Sequence, residues 1–169
     1  SCHKKQNIQH YSESVHAKNN VTCESCHDGG HVVKKIAKNE LASTCGKCHG
    51  EHQKNFNNSI HMQVMNKGNK NAPTCTDCHG SHKIIRGKIS VESQACLECH
   101  LDEKKFPGDE KGSAKFVQHY KTSIHASVEK DGLLEAAGCV DCHGNHMIQE
   151  PENPKASTNR ARLMETCGK

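Results

Sequence analysis

The stretch Cys75-Thr76-Asp77-Cys78-His79-Gly80-Ser81-His82 contains two cysteines three positions apart, with a histidine directly after the second. Side chains three apart lie on the same face of one helical turn, so both sulfurs can reach the two vinyl groups on one edge of a haem. The adjacent His79 can then bind the iron. The pattern Cys-x-x-Cys-His therefore predicts covalent attachment of a c-type haem. His82, three residues after His79, is placed to ligate the iron of a different haem.

The same pattern recurs four more times, which gives five complete attachment sites in 169 residues, numbered here one to five in chain order. A zinc ribbon does not require a histidine directly after each cysteine pair, and a disulfide scaffold does not require this regular spacing. Haem attachment is therefore favoured over both. The cysteine pairs are Cys23 and Cys26, Cys45 and Cys48, Cys75 and Cys78, Cys96 and Cys99, and Cys139 and Cys142, and the histidines that follow them are His27, His49, His79, His100 and His143.

The composition is unusual for a globular domain. Hydrophobic residues make up 33% of the chain, aromatic residues 3%, and tryptophan is absent, whereas globular domains have about 45–50% apolar residues. Such a chain cannot bury enough of its own surface to offset the entropy lost on ordering. We therefore expect the haems to form the core and the haem-free polypeptide to be unfolded. The predicted fold class is mainly irregular with short α-helices and little or no β-structure, the polypeptide being wrapped around a chain of covalent haems.

Three similar stretches of the form aromatic-x-x-Ser-[Val/Ile]-His precede sites one, three and five, which indicates an internal repeat. They end at His16, His61 and His125, and a further histidine follows each of these three sites, at His31, His82 and His146. We therefore predict a tail of a preceding haem unit in residues 1–9, a dihaem unit in 10–52, a dihaem unit plus linker in 53–117, and a dihaem unit truncated at its second haem site in 118–169.

Both ends of the sequence carry part of an attachment site. Cys2 and His3 match the end of the pattern, while the text around Cys167 repeats Thr44-Cys45-Gly46-Lys47, which continues to a second cysteine and a histidine. We expect a partial haem site at each end, and hence a segment of a longer polypeptide. Because haem is attached to this pattern outside the cytoplasm, we also expect a signal peptide that was removed or lies upstream.

Nine histidines remain after the five that follow the cysteine pairs and His3. Six of them occupy repeated positions and are the predicted distal iron ligands: His16, His31, His61, His82, His125 and His146. Each repeat has two such histidines for two haems, so the predicted pairing is His16 and His31 for sites one and two, His61 and His82 for sites three and four, and His125 and His146 for site five and the site at Cys167. His10, His52 and His119 are weaker candidates.

The local sequence predicts few regular elements. Residues 32–42 have helical periodicity, and Ser43-Thr44 is expected to end that helix. Helices are also predicted over 59–66 and 123–137, and each Cys-x-x-Cys-His is expected to form a short helical turn. Methionine could in principle ligate iron and would raise its potential, but Met62 is expected to pack instead.

These motifs resemble the multihaem c-type cytochromes with doubled Cys-x-x-Cys-His motifs and bis-histidine irons, which include small periplasmic cytochromes and extracellular cytochrome filaments. The resemblance rests on the attachment motifs and the repeated histidines, and it covers essentially the whole chain. It implies electron transfer along closely stacked haems, in the periplasm or outside the cell. The implied partners are other redox proteins, or copies of this chain joined end to end.

An enzyme is the alternative function: a multihaem reductase of nitrite, hydroxylamine or a sulfur oxyanion. Such an enzyme needs an iron with an open position and a polar distal pocket, whereas the histidines here are numerous enough to fill every site. We therefore expect an electron carrier without enzymatic activity, either a shuttle or a filament unit. The lysines and arginines are scattered, which does not favour nucleic-acid binding, and no apolar run approaches the ~20 residues of a membrane span.

Overall fold

The computed structural model describes residues 10–29, 34–84, 93–102, 104–105, 113–130 and 137–168. The chain divides into two compact units, Ser1–Ser90 and Val91–Lys169. Three predicted site residues, Cys2, His3 and His31, lie outside the described residues.

The described part of the first unit consists of short helices joined by turns. Its α-helices are α1 (Val15–Lys18), α2 (Leu41–Gly46), α3 (Gly50–Asn57), α4 (Ile60–Asn66) and α5 (Cys75–His79). Single turns of 3₁₀-helix span Tyr11–Glu13, Cys23–Ser25 and Lys38–Glu40.

The second unit is built in the same way. Its α-helices are α6 (Ser93–His100), α7 (Ser113–Lys121), α8 (Ile124–Lys130), α9 (Cys139–His143) and α10 (Leu163–Cys167), and a 3₁₀ turn spans Arg160–Arg162. The longest helix has nine residues, and the described ranges contain no β-strand. The predicted fold class, short helices with little or no β-structure, is confirmed.

The hydrophobic core is small. In the first unit Ala42, Phe56 and Met62 form a buried cluster, against which Met65 and Cys75 pack. Elsewhere in the described chain, the buried hydrophobic residues are two alanines, Ala72 and Ala156. Met62 is 9% exposed, so the prediction that it packs is confirmed. These few contacts join α2, α3, α4 and α5 but give the unit little apolar interior of its own.

One helix prediction was wrong. Residues 34–37 are irregular, and the helix expected over 32–42 begins only at Leu41 and runs to Gly46. The Glu40 carboxylate accepts a hydrogen bond from the backbone N–H of Ala37 at 3.3 Å, which starts a 3₁₀ turn there. Ser43, expected to end the helix, lies inside it and donates its hydroxyl to the Glu40 carbonyl at 2.8 Å. A serine can satisfy its hydroxyl in this way without ending a helix.

The other predicted helices agree better with the structure. Helix α4 (Ile60–Asn66) confirms the helix over 59–66. Helix α8 (Ile124–Lys130) confirms the first half of the one over 123–137, whereas residues 131–136 lie outside the described part. Helix α7 begins at Ser113, within the C-terminal portion of the predicted 53–117 unit where the linker was expected. Among the helices that the structure describes, none is long and apolar enough to cross a bilayer.

Candidate haem-binding sites

At sites three and five the attachment pattern forms a single helical turn, capped by a side chain of the pattern itself. Site one begins with a 3₁₀ turn, site two begins at the end of α2, and site four ends α6. Helices α5 and α9 consist of the patterns of sites three and five. The Asp77 carboxylate accepts hydrogen bonds from the backbone N–H of Thr74 at 2.7 Å and from its hydroxyl at 2.9 Å. Asp141 accepts the equivalent bond from the backbone of Gly138 at 2.9 Å. Such N-terminal caps hold the two cysteines and the histidine in one turn.

A glycine follows the histidine at sites three and five and ends the attachment turn there. Gly80 has φ +73° and Gly144 has φ +72°, a left-handed conformation that side chains other than glycine adopt at a cost. A Cβ at Gly80 would also lie 3.2 Å from the carbonyl oxygen of Lys83. Gly80 therefore ends the attachment turn two residues before His82.

Sites one, two and three lie side by side in the first unit. Burial raises the pKa of Cys26, and the nearby Cys45 and Cys48 act in the same direction. A hydrogen bond from the thiol of Cys45 to the sulfur of Cys75 raises the pKa of Cys45 and lowers that of Cys75 to about 7. These values apply to thiols, before haem attachment turns both sulfurs into thioethers. The contacts show that consecutive sites adjoin.

In the second unit, too, the attachment sites lie close to one another. Burial lowers the pKa of His143, and the nearby His100 of site four adds to that effect. Burial also raises the pKa of Cys142, and the nearby Cys167 makes the next largest contribution in the same direction. Site five therefore lies close both to site four and to the single cysteine of α10.

The three repeated serines are helix N-caps that position the histidines two residues later. Ser14 accepts a hydrogen bond from the backbone of Ala17 at 3.1 Å, and Ser59 accepts one from Met62 at 3.2 Å. Ser123 makes the equivalent bond at 3.4 Å. Ser14 and Ser59 are completely buried. His16, His61 and His125 are thus each the second residue of a capped helix. The sequence showed this repeat, and the spacing of serine before a helix could have identified the cap.

In the first and third repeats, the aromatic residue is a tyrosine that connects the repeat to the following attachment site. The Tyr11 hydroxyl donates a hydrogen bond to the carbonyl oxygen of Val21, two residues before Cys23. The Tyr120 hydroxyl donates to the carbonyl of Ala137 at 3.3 Å, two residues before Cys139. In the middle repeat Phe56 lacks a hydroxyl and lies in the core instead. These tyrosines are positioning residues that sequence reasoning missed, because nothing in the sequence indicates which carbonyl a tyrosine will meet.

Three pairs of histidine rings lie at similar distances. The ring centres of His16 and His49 are 6.0 Å apart, with 35° between the ring planes. Those of His27 and His82 are 6.1 Å apart at 21°, and those of His49 and His52 are 6.1 Å apart at 25°. Imidazole nitrogen binds a transition metal at about 2.0–2.1 Å and the ring centre lies roughly 1.2 Å further back, so two rings on opposite sides of one metal have centres about 6.4 Å apart. The observed spacing suits one iron between two rings.

In one of these pairs a ring nitrogen of each histidine meets an oxygen acceptor. The Nδ1 atom of His27 lies 3.3 Å from the carbonyl oxygen of Lys34, and Nδ1 of His82 lies 3.4 Å from the hydroxyl of Ser81. A histidine that binds a metal usually donates its other ring N–H in this way, which fixes the tautomer. The Lys34 carbonyl can only accept, so the proton of His27 is on Nδ1 and its Nε2 is available for a metal; the Ser81 hydroxyl is compatible with the same tautomer of His82.

The remaining candidate ligands occupy more open positions. His10 is exposed, with Nδ1 3.4 Å from a carboxylate oxygen of Glu13. His119 and His125 are exposed on α7 and α8, whereas His61 and His146 are half-buried. His52 is exposed and lies close enough to His79, together with His49, to lower the pKa of that ring, although burial is the larger cause. From the sequence alone, His52 is one of the weaker candidate iron ligands.

The residues around the sites fit a large apolar group. None of the eleven cysteines in the described part is in a disulfide, and all of them are exposed or half-buried. No three metal-binding side chains in that part converge on a point that could hold a bare ion. Ile124, beside His125, is 70% exposed, and Met164, one turn before Cys167, is 90% exposed. Met147, beside His146, is 49% exposed. Thiol pairs, facing imidazoles and open apolar side chains together match the surface of a haem.

Ser59→Ala should destabilise the haem-loaded protein by about 1–2 kcal/mol, because the buried hydroxyl both accepts from Met62 and donates to the Phe56 carbonyl at 2.6 Å. The measurement is denaturant unfolding followed by circular dichroism. Ser127→Ala is the matched control, since this exposed serine bonds only to a carbonyl of its own helix; we expect a change within about 0.5 kcal/mol. Equal losses in the two variants would contradict the assigned role of the cap.

Comparison with known protein families identifies the chain. The family model of cytochrome c3 matches it twice, over residues 15–101 and over residues 69–167. The first match includes sites one to four, and the second includes sites three to five and Cys167. Neither the curated proteins nor the solved structures gave a match. The two matches cover most of the chain and overlap at sites three and four. The chain therefore belongs to the cytochrome c3 family, whose members are multihaem c-type cytochromes that transfer electrons.

Proposed function

We propose that this chain conducts electrons through closely spaced haems whose irons carry a histidine on both faces, with one haem at each of the five complete sites. The observation that carries the proposal is the pair His16 and His49, whose ring centres lie 6.0 Å apart. His49 follows the cysteine pair of site two, and His16 comes from the capped helix α1. We assign these two histidines to the iron at site two.

His52 lies as close to His49 as His16 does, but the chain geometry disfavours it as the partner of His49. His49 is the N-cap of α3 and His52 is the third residue of that helix. One helical turn rises about 5.4 Å, which is much less than the width of a porphyrin. A haem cannot fit between two side chains of the same helical turn. We therefore assign His16, and not His52, as the second ligand of the iron at site two.

Two histidine ligands would suit these sites to electron transfer. When bound, the haem iron supplies the redox chemistry by alternating between the ferric and ferrous states. His16 and His49 would fill both axial positions in either state, so little moves when the charge changes. Imidazole on both faces also sets a lower potential than a histidine and a methionine would.

Consecutive sites lie close together, which supports a continuous path for electrons within each unit. Sites one, two and three adjoin in the first unit, and sites four, five and Cys167 adjoin in the second. The side chains of Lys47, between the cysteines of site two, and Asp28, directly after site one, form an ion pair at 4.0 Å. Short distances between sites favour transfer from haem to haem over the binding of a substrate.

We place this function outside the cytoplasm, in the periplasm or on the cell exterior, because haem is attached to Cys-x-x-Cys-His there. The proposed partners are other redox proteins, or further copies of the chain in a filament. Electron microscopy of the purified protein distinguishes a filament from a shuttle.

Carbon monoxide binding tests the proposed function against the reductase alternative. Carbon monoxide binds ferrous iron that has an open axial position, so the reduced protein should keep its visible spectrum under carbon monoxide. Voltammetry should show reversible electron uptake by every haem without added substrate. A carbon monoxide complex at one haem in each chain, together with turnover of nitrite, hydroxylamine or a sulfur oxyanion, would support the reductase instead.

A further inference from the structure

We infer that the segment Cys75–His82 serves two irons, His79 binding the haem on its own cysteines and His82 capping the haem attached at Cys23 and Cys26. This inference rests on the proposed function, and it replaces the expected pairing, in which His82 served site three or four. The first haem would then take its two ligands from positions 55 residues apart in the sequence, His27 and His82.

The rings themselves provide the first argument. His27 and His82 have ring centres 6.1 Å apart and planes inclined by 21°, close to the spacing that one shared iron requires. Each ring has Nδ1 beside an oxygen, the Lys34 carbonyl or the Ser81 hydroxyl. The Lys34 carbonyl places the proton of His27 on Nδ1, and the Ser81 hydroxyl is compatible with the same tautomer of His82, in which Nε2 can bind a metal.

The backbone beyond site three provides a second, independent argument. The N–H of Val15 donates a hydrogen bond to the carbonyl oxygen of Ile84 at 2.8 Å. The Lys83 ammonium group lies 3.0 Å from the Glu13 carboxylate. Residues 83–84 are thus held against the start of α1. This docking places His82 beside the first repeat whether or not the ring positions are considered.

The short connection after site three indicates that this segment serves two irons. His79 ends the attachment turn α5, and Gly80 takes φ +73° directly after it. A porphyrin bound by His79 leaves too little chain for His82 to reach its opposite face, since only Gly80 and Ser81 separate them. His82 is therefore left to serve a different iron.

The assignment links the first and the third haem through the backbone. Only two residues separate a ligand of the first haem from a ligand of the third, so a change at one iron can shift the ligand of the other through the backbone. The repeats are then interlocked, because the first haem is completed by residues of the second repeat. A dihaem unit that ends at residue 52 would lack the distal ligand of its first haem.

Nuclear magnetic resonance of the reduced, haem-loaded full chain tests the assignment without any substitution. With histidine selectively labelled with ¹³C, ring protons of an iron-bound His82 should show Overhauser contacts to the thioether protons of the haem on Cys23 and Cys26. Contacts to the haem on Cys75 and Cys78 or on Cys96 and Cys99, or the absence of any contact to a haem, would overturn the assignment.

The variant His82→Met gives a second readout. Near-infrared magnetic circular dichroism should show one haem per chain changed from bis-histidine to histidine–methionine ligation, and the methyl group of the new ligand should contact the Cys23 haem. Lys67→Met adds a methionine at an exposed position of the same unit and should leave every haem unchanged. If the wild-type haems are all bis-histidine but His82→Met changes none of them, this assignment fails while the proposed function stands. An open iron in the wild-type protein would count against the function itself.

Discussion

Haem-free polypeptide will give the far-ultraviolet circular dichroism of an unfolded chain, without a cooperative thermal transition. The described part buries five hydrophobic side chains, of which three are alanines. Burying Phe56 and Met62 contributes about 1.5–3 kcal/mol each, and the ordering of a few residues offsets that gain. The short helices add little, since isolated helices below about 12–15 residues are marginal in water. The haems must therefore supply most of the apolar contact.

The experiment compares chain produced without haem attachment, with its thiols kept reduced, against the haem-loaded protein at the same pH. The loaded protein should show helical ellipticity and dispersed amide resonances, and the haem-free chain should show neither. Cooperative unfolding of the haem-free chain would contradict the idea that the haems form the core.

His16→Ala will open one iron in each chain. We assign His16 and His49 to opposite faces of the haem at site two, so removing His16 leaves that iron with one protein ligand. The ferric spectrum should gain the high-spin band of one haem, and the ferrous protein should bind one equivalent of carbon monoxide. Added imidazole should enter the vacated space and restore the low-spin spectrum.

Lys18→Ala on the same short helix is the control, because its side chain is exposed and is not a predicted iron ligand; its spectrum should match the wild type. His52→Ala tests whether the other histidine near His49, and not His16, is the second ligand of that iron. If His52→Ala, and not His16→Ala, produced the carbon monoxide-binding haem, the assignment of His16 would be wrong. Rescue by imidazole distinguishes a lost ligand from general destabilisation.

The attachment turns were predictable because their chemistry depends on local spacing. Cys75, Cys78 and His79 form one turn in the structure, as their spacing requires. Helix α4 was also predictable, since Ser59 is a strong N-cap directly before it. The helix expected over 32–42 failed for a local reason, because the bond between Ala37 and Glu40 delays its start.

The partner of a distal histidine could not be predicted from the repeat. Similarity between repeats indicates that His82 is equivalent to His31 and His146, but it does not indicate which iron any of them reaches. That choice depends on long-range contacts, such as the one between Val15 and Ile84, which are 69 positions apart in the sequence. The tyrosine contact to Val21 is missed for the same reason, since its acceptor is a backbone carbonyl that any residue could supply.

The near-infrared magnetic circular dichroism of the ferric, haem-loaded chain, normalised to its haem content, tests the central claim most directly. The account predicts c-type haem in covalent linkage and only the low-spin signal of bis-histidine iron. A colourless protein, or one in which a haem per chain has high-spin iron or methionine as a ligand, would contradict it.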